Sequence, residues 1–351
     1  MTLSFTNARE LLHRAIVERA FPSAVVEVGT ETRPLWQEAL GALTYDAAAP
    51  PAALDTIYDL ASLTKVLSTT PLAMRALENG ALALADPVAR HVARWLGADR
   101  ETVSIRDLLA HCSGLPGHRH FYRDRSGWDA FEEAICREPL EYAPRTRSIY
   151  SDLGFMLLGF ILAPDDTLAA RFDALKQQTR SAQDLQFHPP AIWRYRTAPA
   201  HRDPWRGRLL IGEVDDENAS ALGGAAGHAG LFGTAAAVGD QARHLLQVLA
   251  GRTGAYRRET AERFVARVSE IPGSSRALGW DTMLPTSSCG TRLSPRAFGH
   301  TGFTGTSLWI DPERQLYFVL LTNRVYPSRD NDAIARVRPA FHDAVIEDLE
   351  M

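Results

Sequence analysis

A chain of 351 residues, 45% of them apolar, can build one large hydrophobic core or two ordinary ones, and its formal net charge of −4 offers no basic excess for binding a polyanion. The arginine-rich stretch from Arg194 to Arg208 is interrupted by Asp203, prolines and tryptophans, and no segment is long and apolar enough to span a bilayer. Three cysteines, Cys112, Cys136 and Cys289, lack Cys-x-x-Cys spacing; they form neither a disulfide framework nor a zinc site and read as buried thiols. Met1 to Ala20 is amphipathic and of mixed charge, without the apolar centre and small-residue cleavage site of a signal peptide, so the expectation is a soluble, cytoplasmic protein.

Asn7 to Arg19 has helical periodicity, with Leu11, Leu12, Ile16 and Val17 on its apolar side. Ala24 to Gly29 reads as a strand, Thr30 to Pro34 as a turn, and Leu35 to Leu43 as a returning strand that ends at Gly41. A helix is predicted from Ser62 to Glu78, stopped by Asn79-Gly80. Shorter helices follow at Ile105–His111 and Leu153–Leu162, then a more polar one at Ala169–Leu185. Phe187 to Gly207 reads as a long ordered loop, Gly223 to Gly233 as a glycine-rich stretch, and Ala235 to Leu249 as a helix. Ser307–Ile310 and Leu316–Leu321 flank Asp311-Pro312-Glu313-Arg314 as a hairpin, and a helix from Ala333 to Leu349 closes the chain. Strands at both ends with helices between them give an α+β fold. The expected division is a sheet lobe from 1–60 and 270–351 and a helical lobe from 61–269, within one domain.

Chemistry concentrates in three places. Ser62 and Lys65 stand three residues apart, so they share a helix face, and an amine there can take the proton of a weak hydroxyl nucleophile. Ser62 at a helix N-terminus also has a developing oxyanion facing free N–H groups. Tyr150-Ser151-Asp152 supplies a phenol as second proton carrier and a carboxylate to bind Lys65 or a substrate amide; lysine nearby is expected to lower the phenol's pKa, and burial to keep Lys65 neutral part of the time. His300-Thr301-Gly302 precedes a strand-like run, its glycine permits close approach of a substrate backbone, and Phe303 N–H is the second oxyanion donor. His118 and His120, near His111, match no metal-ligand spacing, and Gly223 to Gly227 lacks the Gly-Lys-Ser/Thr ending of a phosphate loop. That glycine run reads instead as a place where a helix and a loop approach closely.

With these motifs in order, the chain resembles the class C β-lactamase and penicillin-binding serine hydrolases, which include esterases and D-amino-acid peptidases. Ile105-Arg106-Asp107-Leu108-Leu109-Ala110-His111-Cys112-Ser113-Gly114-Leu115 and Leu278-Gly279-Trp280-Asp281 extend the likeness over nearly the whole chain. The resemblance implies a β-lactamase/DD-peptidase-like fold, acylation of Ser62, proton shuttling by Lys65 and Tyr150, and an oxyanion hole made by the amides of Ser62 and Phe303. Val214 to Ala219, Gly227 to Phe232 and Gly299 to Thr306 look like a subgroup of N-acetylmuramoyl-L-alanine amidases, with Asp215 where that subgroup has histidine and His228 as a substrate-pocket residue. Asp152 replaces an asparagine and His300 replaces a lysine of the β-lactamases, so weak or absent β-lactam hydrolysis is expected.

The resulting expectation is a serine hydrolase that cleaves an amide or ester through an acyl-enzyme on Ser62, with a muropeptide or other small molecule as substrate. It implies no metal, no organic cofactor, and neither nucleic acid nor membrane as partner. The alternatives are a broad carboxylesterase, a D-amino-acid peptidase, or, from another class, a non-catalytic penicillin-binding sensor.

Overall fold

Leu316–Thr322 carries apolar side chains at consecutive positions, which only a strand covered on both faces can bury. In the computed structural model, which describes residues 4–179, 184–252 and 254–351, it is the third of six strands in an antiparallel sheet. The order across the sheet is Pro34–Gly41, Ser23–Thr30, Leu316–Thr322, Ser307–Asp311, Phe298–Thr301 and Asp281–Thr282. Val26, Val28, Trp309, Phe318 and Leu320 point to one side, where they pack with Leu12 of the helix Thr6–Val17 and with Phe341 and Val345 of the helix Ile334–Glu350. Val25, Leu308, Ile310, Val319 and Leu321 point to the other and join a larger core built with the helices of the middle of the chain. The two-residue period of a strand therefore divides one apolar run between two cores.

On that second face the sheet buries a charge. Glu27, fully covered, accepts from Tyr317 Oη (2.6 Å), Arg243 Nη1 (2.7 Å) and Gln37 Nε2 (2.6 Å), so the carboxylate is paired and hydrogen-bonded. The helix Ala235–Leu249 carries Arg243 and reaches this network because Gly239 has no side chain.

Several elements differ from the sequence expectations. The helix expected over 62–78 begins with a π-helical turn, Lys65–Thr69, and becomes α-helical only at Thr70–Glu78. The polar helix expected to reach Leu185 is described as Leu168–Thr179; residues 180–183 lie outside the described residues, and Leu185 already belongs to a strand, Leu185–Phe187. That strand pairs with Leu231–Gly233, which also pairs with Tyr58–Asp59, a small second sheet that the glycine-rich reading of 223–233 did not foresee. The expected loop from 187 to 207 contains a 3-10 turn, Ala191–Arg196, and a strand, Arg202–Asp203, paired with Arg208–Leu209. The three cysteines are free and buried, and no helix of the described residues is long and apolar enough to cross a membrane.

A Cβ added at Gly239 would lie 1.9 Å from Glu27 Oε1 and 3.0 Å from Tyr317 Cε2. Gly239→Ala is therefore expected to destabilise the protein by about 1–3 kcal/mol, read as a lower urea midpoint at unchanged slope.

Candidate active site

The turn that presents Ser62 is built by its neighbours. Tyr58–Asp59 ends as a strand, and Ala61 then takes a left-handed φ of 47°, which turns the chain sharply into the helix. Asp59 holds this turn: Oδ1 accepts from Ala61 N–H (2.8 Å) and Oδ2 from Asp215 N–H (2.6 Å). Burial, and then the nearby Asp215 carboxylate, push the Asp59 carboxyl up to about 7. From the other side, Thr304 Oγ1 donates to Asp59 O (2.7 Å) and Thr306 Oγ1 to Leu60 O (3.0 Å). Gly302 comes so close that a Cβ there would meet Leu60 O at 2.5 Å, so only glycine lets the two loops meet. Neither Ser62 N–H nor Phe303 N–H donates to an acceptor among the described residues, which leaves both free for an oxyanion.

Lys65 is completely buried and lies 2.9 Å from Ser62 Oγ, to which Nζ donates. Nζ also donates to His228 O (3.1 Å) and makes an ion pair with Asp152 Oδ1 at 2.8 Å. The Tyr150 ring centroid lies 4.8 Å from Nζ. Burial alone would lower the lysine's pKa, but the Asp152 and Tyr150 interactions outweigh it and leave it raised. Asp152 in turn is held ionised against burial by Lys65 and by His118, whose Nδ1 is 3.5 Å from Oδ2. The expectation of a partly neutral Lys65 is thus corrected: the Asp152 carboxylate, where the β-lactamases carry an asparagine, favours the charged amine. The expected lowering of Tyr150 is corrected as well. Burial raises the phenol more than Lys65 lowers it, and its buried hydroxyl faces Lys65 and Ser62.

Around Tyr150 stand two histidines without charge. His300 sits 5.6 Å from its ring centroid, and its Nδ1–H donates to Thr301 O (2.8 Å), which leaves Nε2 as a bare acceptor. Burial first, then Lys65 and Arg276, hold His300 well below the usual histidine range. His111, 4.7 Å from the same ring, accepts Ser151 N–H on Nδ1 (3.0 Å) and is held low by burial and by Arg276. Ahead of the strand Ser307–Asp311, His300 and Thr301 end the strand Phe298–Thr301. That strand is second from the sheet's edge, yet Asp281–Thr282 pairs only with Phe298 and Gly299, so the edge beside His300 and Thr301 is open.

Ser62, Tyr150, His300, Thr301, Gly302 and Phe303 line a common cleft of about 350 Å³. Lys65 reaches it through Ser62, and Asp152 through Lys65. His228 is buried beside them: its carbonyl serves Lys65, and its Nε2 pairs with Asp216 Oδ1 (2.9 Å). Gly227 packs against the helix Asp152–Leu162 so closely that a Cβ would meet Phe155 O at 2.0 Å, the close approach expected of the glycine run. Asp215 is engaged with His201 Nδ1 (2.5 Å) and Arg329 (2.9 Å), outside the lining of the cleft. His118 pairs with Asp152, and His120 packs on His118 and Tyr122. Asp59, His111, Asp216 and the cleft arginines Arg276, Arg324 and Arg338 were not found by sequence reasoning. The first three sit inside or next to the quoted motifs, whereas no motif marks the arginines.

A profile of the family described as Beta-lactamase matches residues 8–340. A protein of Escherichia coli (strain K12), named "Putative D-alanyl-D-alanine carboxypeptidase", is 30% identical over 362 residues, covering 88% of this chain and 80% of that protein. The N-acetylmuramyl-L-alanine amidase of Bacillus subtilis (strain 168) is 31% identical over 352 residues, covering 88% of this chain and 78% of that protein. Among solved structures, EstCE1, a hydrolase with promiscuous acyltransferase activity, superposes with a TM-score of 0.75 at 19% identity over 97% of each chain, a likeness of fold.

Asp152 raises both Lys65 and Tyr150. With both groups protonated at neutral pH, kcat/KM is expected to climb through the alkaline range. Asp152→Asn removes the charge that favours both protonated forms, so the climb should move to lower pH. A pH–rate profile of the two proteins checks the direction.

Proposed function

Because this chain belongs to the Beta-lactamase family of serine hydrolases, we propose that it works through an acyl-enzyme on Ser62 and takes its substrates from cell-wall muropeptides. The contact between Ser62 Oγ and Lys65 Nζ, 2.9 Å apart, carries the reading, and the two relatives' names, each for cleavage of an alanine amide, support the substrate. The substrate carbonyl places its oxygen between the amides of Ser62 and Phe303, each such donor being worth roughly 3 kcal/mol in the transition state. Ser62 Oγ attacks the carbonyl carbon. Since Lys65 already donates to Oγ as an ammonium, the hydroxyl proton leaves toward the Tyr150 oxygen in its phenolate form, the minor species at neutral pH, while the ammonium stabilises the alkoxide as it forms.

Tyr150 then passes the proton to the leaving amine or alkoxide as the carbonyl re-forms. Water repeats the sequence against the acyl-enzyme, giving up its proton to Tyr150 and releasing Ser62. His228, Asp152 and Thr301 hold the walls and the cation in place around this path. A neutral His300 does not stand in for the lysine cation of the β-lactamases; the cations in the lining of the cleft are arginines.

The test is intact-protein mass after treatment with a fluorophosphonate, followed by turnover of muropeptides and short-chain nitrophenyl esters. The wild-type protein is expected to gain one adduct on Ser62 and to release the peptide from a muropeptide, and Ser62→Ala to do neither at unchanged fold. Turnover confined to esters would make the protein a carboxylesterase. A stable acyl adduct without any turnover would make it a sensor, and turnover by Ser62→Ala would end the assignment.

A further inference from the structure

Outside the lining of the Ser62 cleft, the paired strands Arg202–Asp203 and Arg208–Leu209 bring His201 and Asp203 beside Glu217, the first residue of the helix Glu217–Ala221. His201 and Asp203 are buried and Glu217 is partly buried. One ring nitrogen of His201, one carboxylate oxygen of Asp203 and one of Glu217 all lie within 4.8 Å of one another.

The imidazole is set to receive a cation. Its Nδ1 lies 2.5 Å from Asp215 Oδ1 and, in the neutral ring, donates to it, which puts the lone pair on Nε2. Nε2 is buried and has no hydrogen-bond partner among the described residues. A carboxylate that holds Nδ1–H and leaves Nε2 bare orients a histidine as metal-binding histidines are oriented. The nitrogen left for the cluster is therefore Nε2. Charge points the same way. Asp203 meets Arg206, while Asp215 and Glu217 share Arg329. Three carboxylates thus face two guanidiniums, which leaves negative charge in excess beside a neutral His201. Each carboxylate has lone pairs to spare, so an arginine and a metal ion can use the same group.

We propose that His201 Nε2, Asp203 and Glu217 bind a divalent cation of the zinc class, with water completing its shell. One imidazole and two carboxylates suit zinc, which prefers nitrogen and oxygen ligands in a tetrahedron. Ligand atoms around such an ion lie about 3.4 Å apart, so the three side chains close in by roughly an ångström on binding. The ion acts by position. It joins the strand Arg202–Asp203 to residues 215–217. In that segment Asp215 N–H bonds Asp59 Oδ2 (2.6 Å), which shapes the Ser62 turn, and Asp216 bonds His228 (2.9 Å), whose carbonyl accepts from Lys65. Binding of the ion is independent of the acyl-enzyme reading and is testable without turnover.

The experiment uses the untagged full chain, freed of metal with a chelator and titrated calorimetrically with zinc chloride, with calcium and magnesium chlorides as comparisons. Metal retained after gel filtration is then measured by elemental analysis. The chain is expected to bind one zinc ion and to hold it through gel filtration. His201→Gln should abolish binding, and Asp215→Asn, which keeps all three ligands but loosens the imidazole, should weaken it by about tenfold or more. Glu217→Gln alters a partly exposed ligand, so it keeps the test valid if the buried His201 variant does not fold, and it too should weaken zinc by about tenfold or more. His120→Gln, an exposed histidine outside the cluster, should bind zinc like its parent. Zinc lost on gel filtration, folded His201→Gln or Glu217→Gln proteins that bind zinc like their parent, or calcium or magnesium bound more tightly than zinc overturns the site. Failure of fluorophosphonate labelling at Ser62 with zinc binding intact would overturn the acyl-enzyme reading alone.

Discussion

An ammonium group without accessible surface must have its counter-charge within a few ångströms, and around Lys65 the site is arranged to provide it. Asp152 supplies the charge at 2.8 Å, His228 O a further acceptor, and the Tyr150 and Phe155 rings a polarisable wall at 4.8 and 5.7 Å. After burial, the same cation helps to keep the two imidazoles beside Ser62 neutral: Lys65 contributes to the lowering of both His111 and His300. It acts against burial at Tyr150, where it lowers a phenol that burial raises. The sequence contains 38 lysines and arginines, yet only Lys65 and Lys176 are lysine. At position 65 a compact ammonium fits between Ser62, Asp152 and His228 O, where a planar guanidinium would not.

The second requirement is that two loops from distant parts of the chain meet beside Ser62. Thr304 and Thr306 bind the carbonyls of Asp59 and Leu60, and at Gly302 a side chain would collide with Leu60 O. A further set of contacts ties the glycine-rich segment to the nucleophile's helix: Thr69 Oγ1 to Gly227 O (2.6 Å) and Leu231 N–H to Thr64 Oγ1 (3.1 Å). The conspicuous glycines and threonines of the motifs are therefore mostly geometry, holding the Ser62 and Phe303 amides at fixed separation. The π-helical turn at Lys65–Thr69 adds to this, since an extra residue in the turn re-aims the side chains that follow Ser62.

Elements with long, regular apolar patterns were legible. The helix Ala235–Leu249, the hairpin around Asp311 and the apolar helix after Tyr150 all lie where periodicity and turn chemistry place them. Leu231–Gly233 was not, because a three-residue strand with glycine in it owes its existence to Tyr58 and Leu185 on either side, not to its own composition. Motif order grouped Ser62, Lys65 and Tyr150, and the structure brings them together, but their ionisation was not legible. The charge state of Lys65 depends on burial and on one carboxyl oxygen at 2.8 Å, neither of which a spacing rule carries. The arginines at 276, 324 and 338 were invisible for a related reason. They come from three unrelated segments and meet only after the sheet and the C-terminal helix have formed.

The account depends on Lys65 being a permanent cation bound to Asp152 beside Ser62. With two lysines in the chain, isotope-labelled lysine gives two side-chain resonances, and Lys176→Arg leaves one. A pH titration of that resonance by NMR is predicted to show an ammonium that persists above the ordinary lysine range. A Lys65 signal that loses its proton near neutral pH would contradict the ion pair, and with it the assignment of proton transfer to Tyr150.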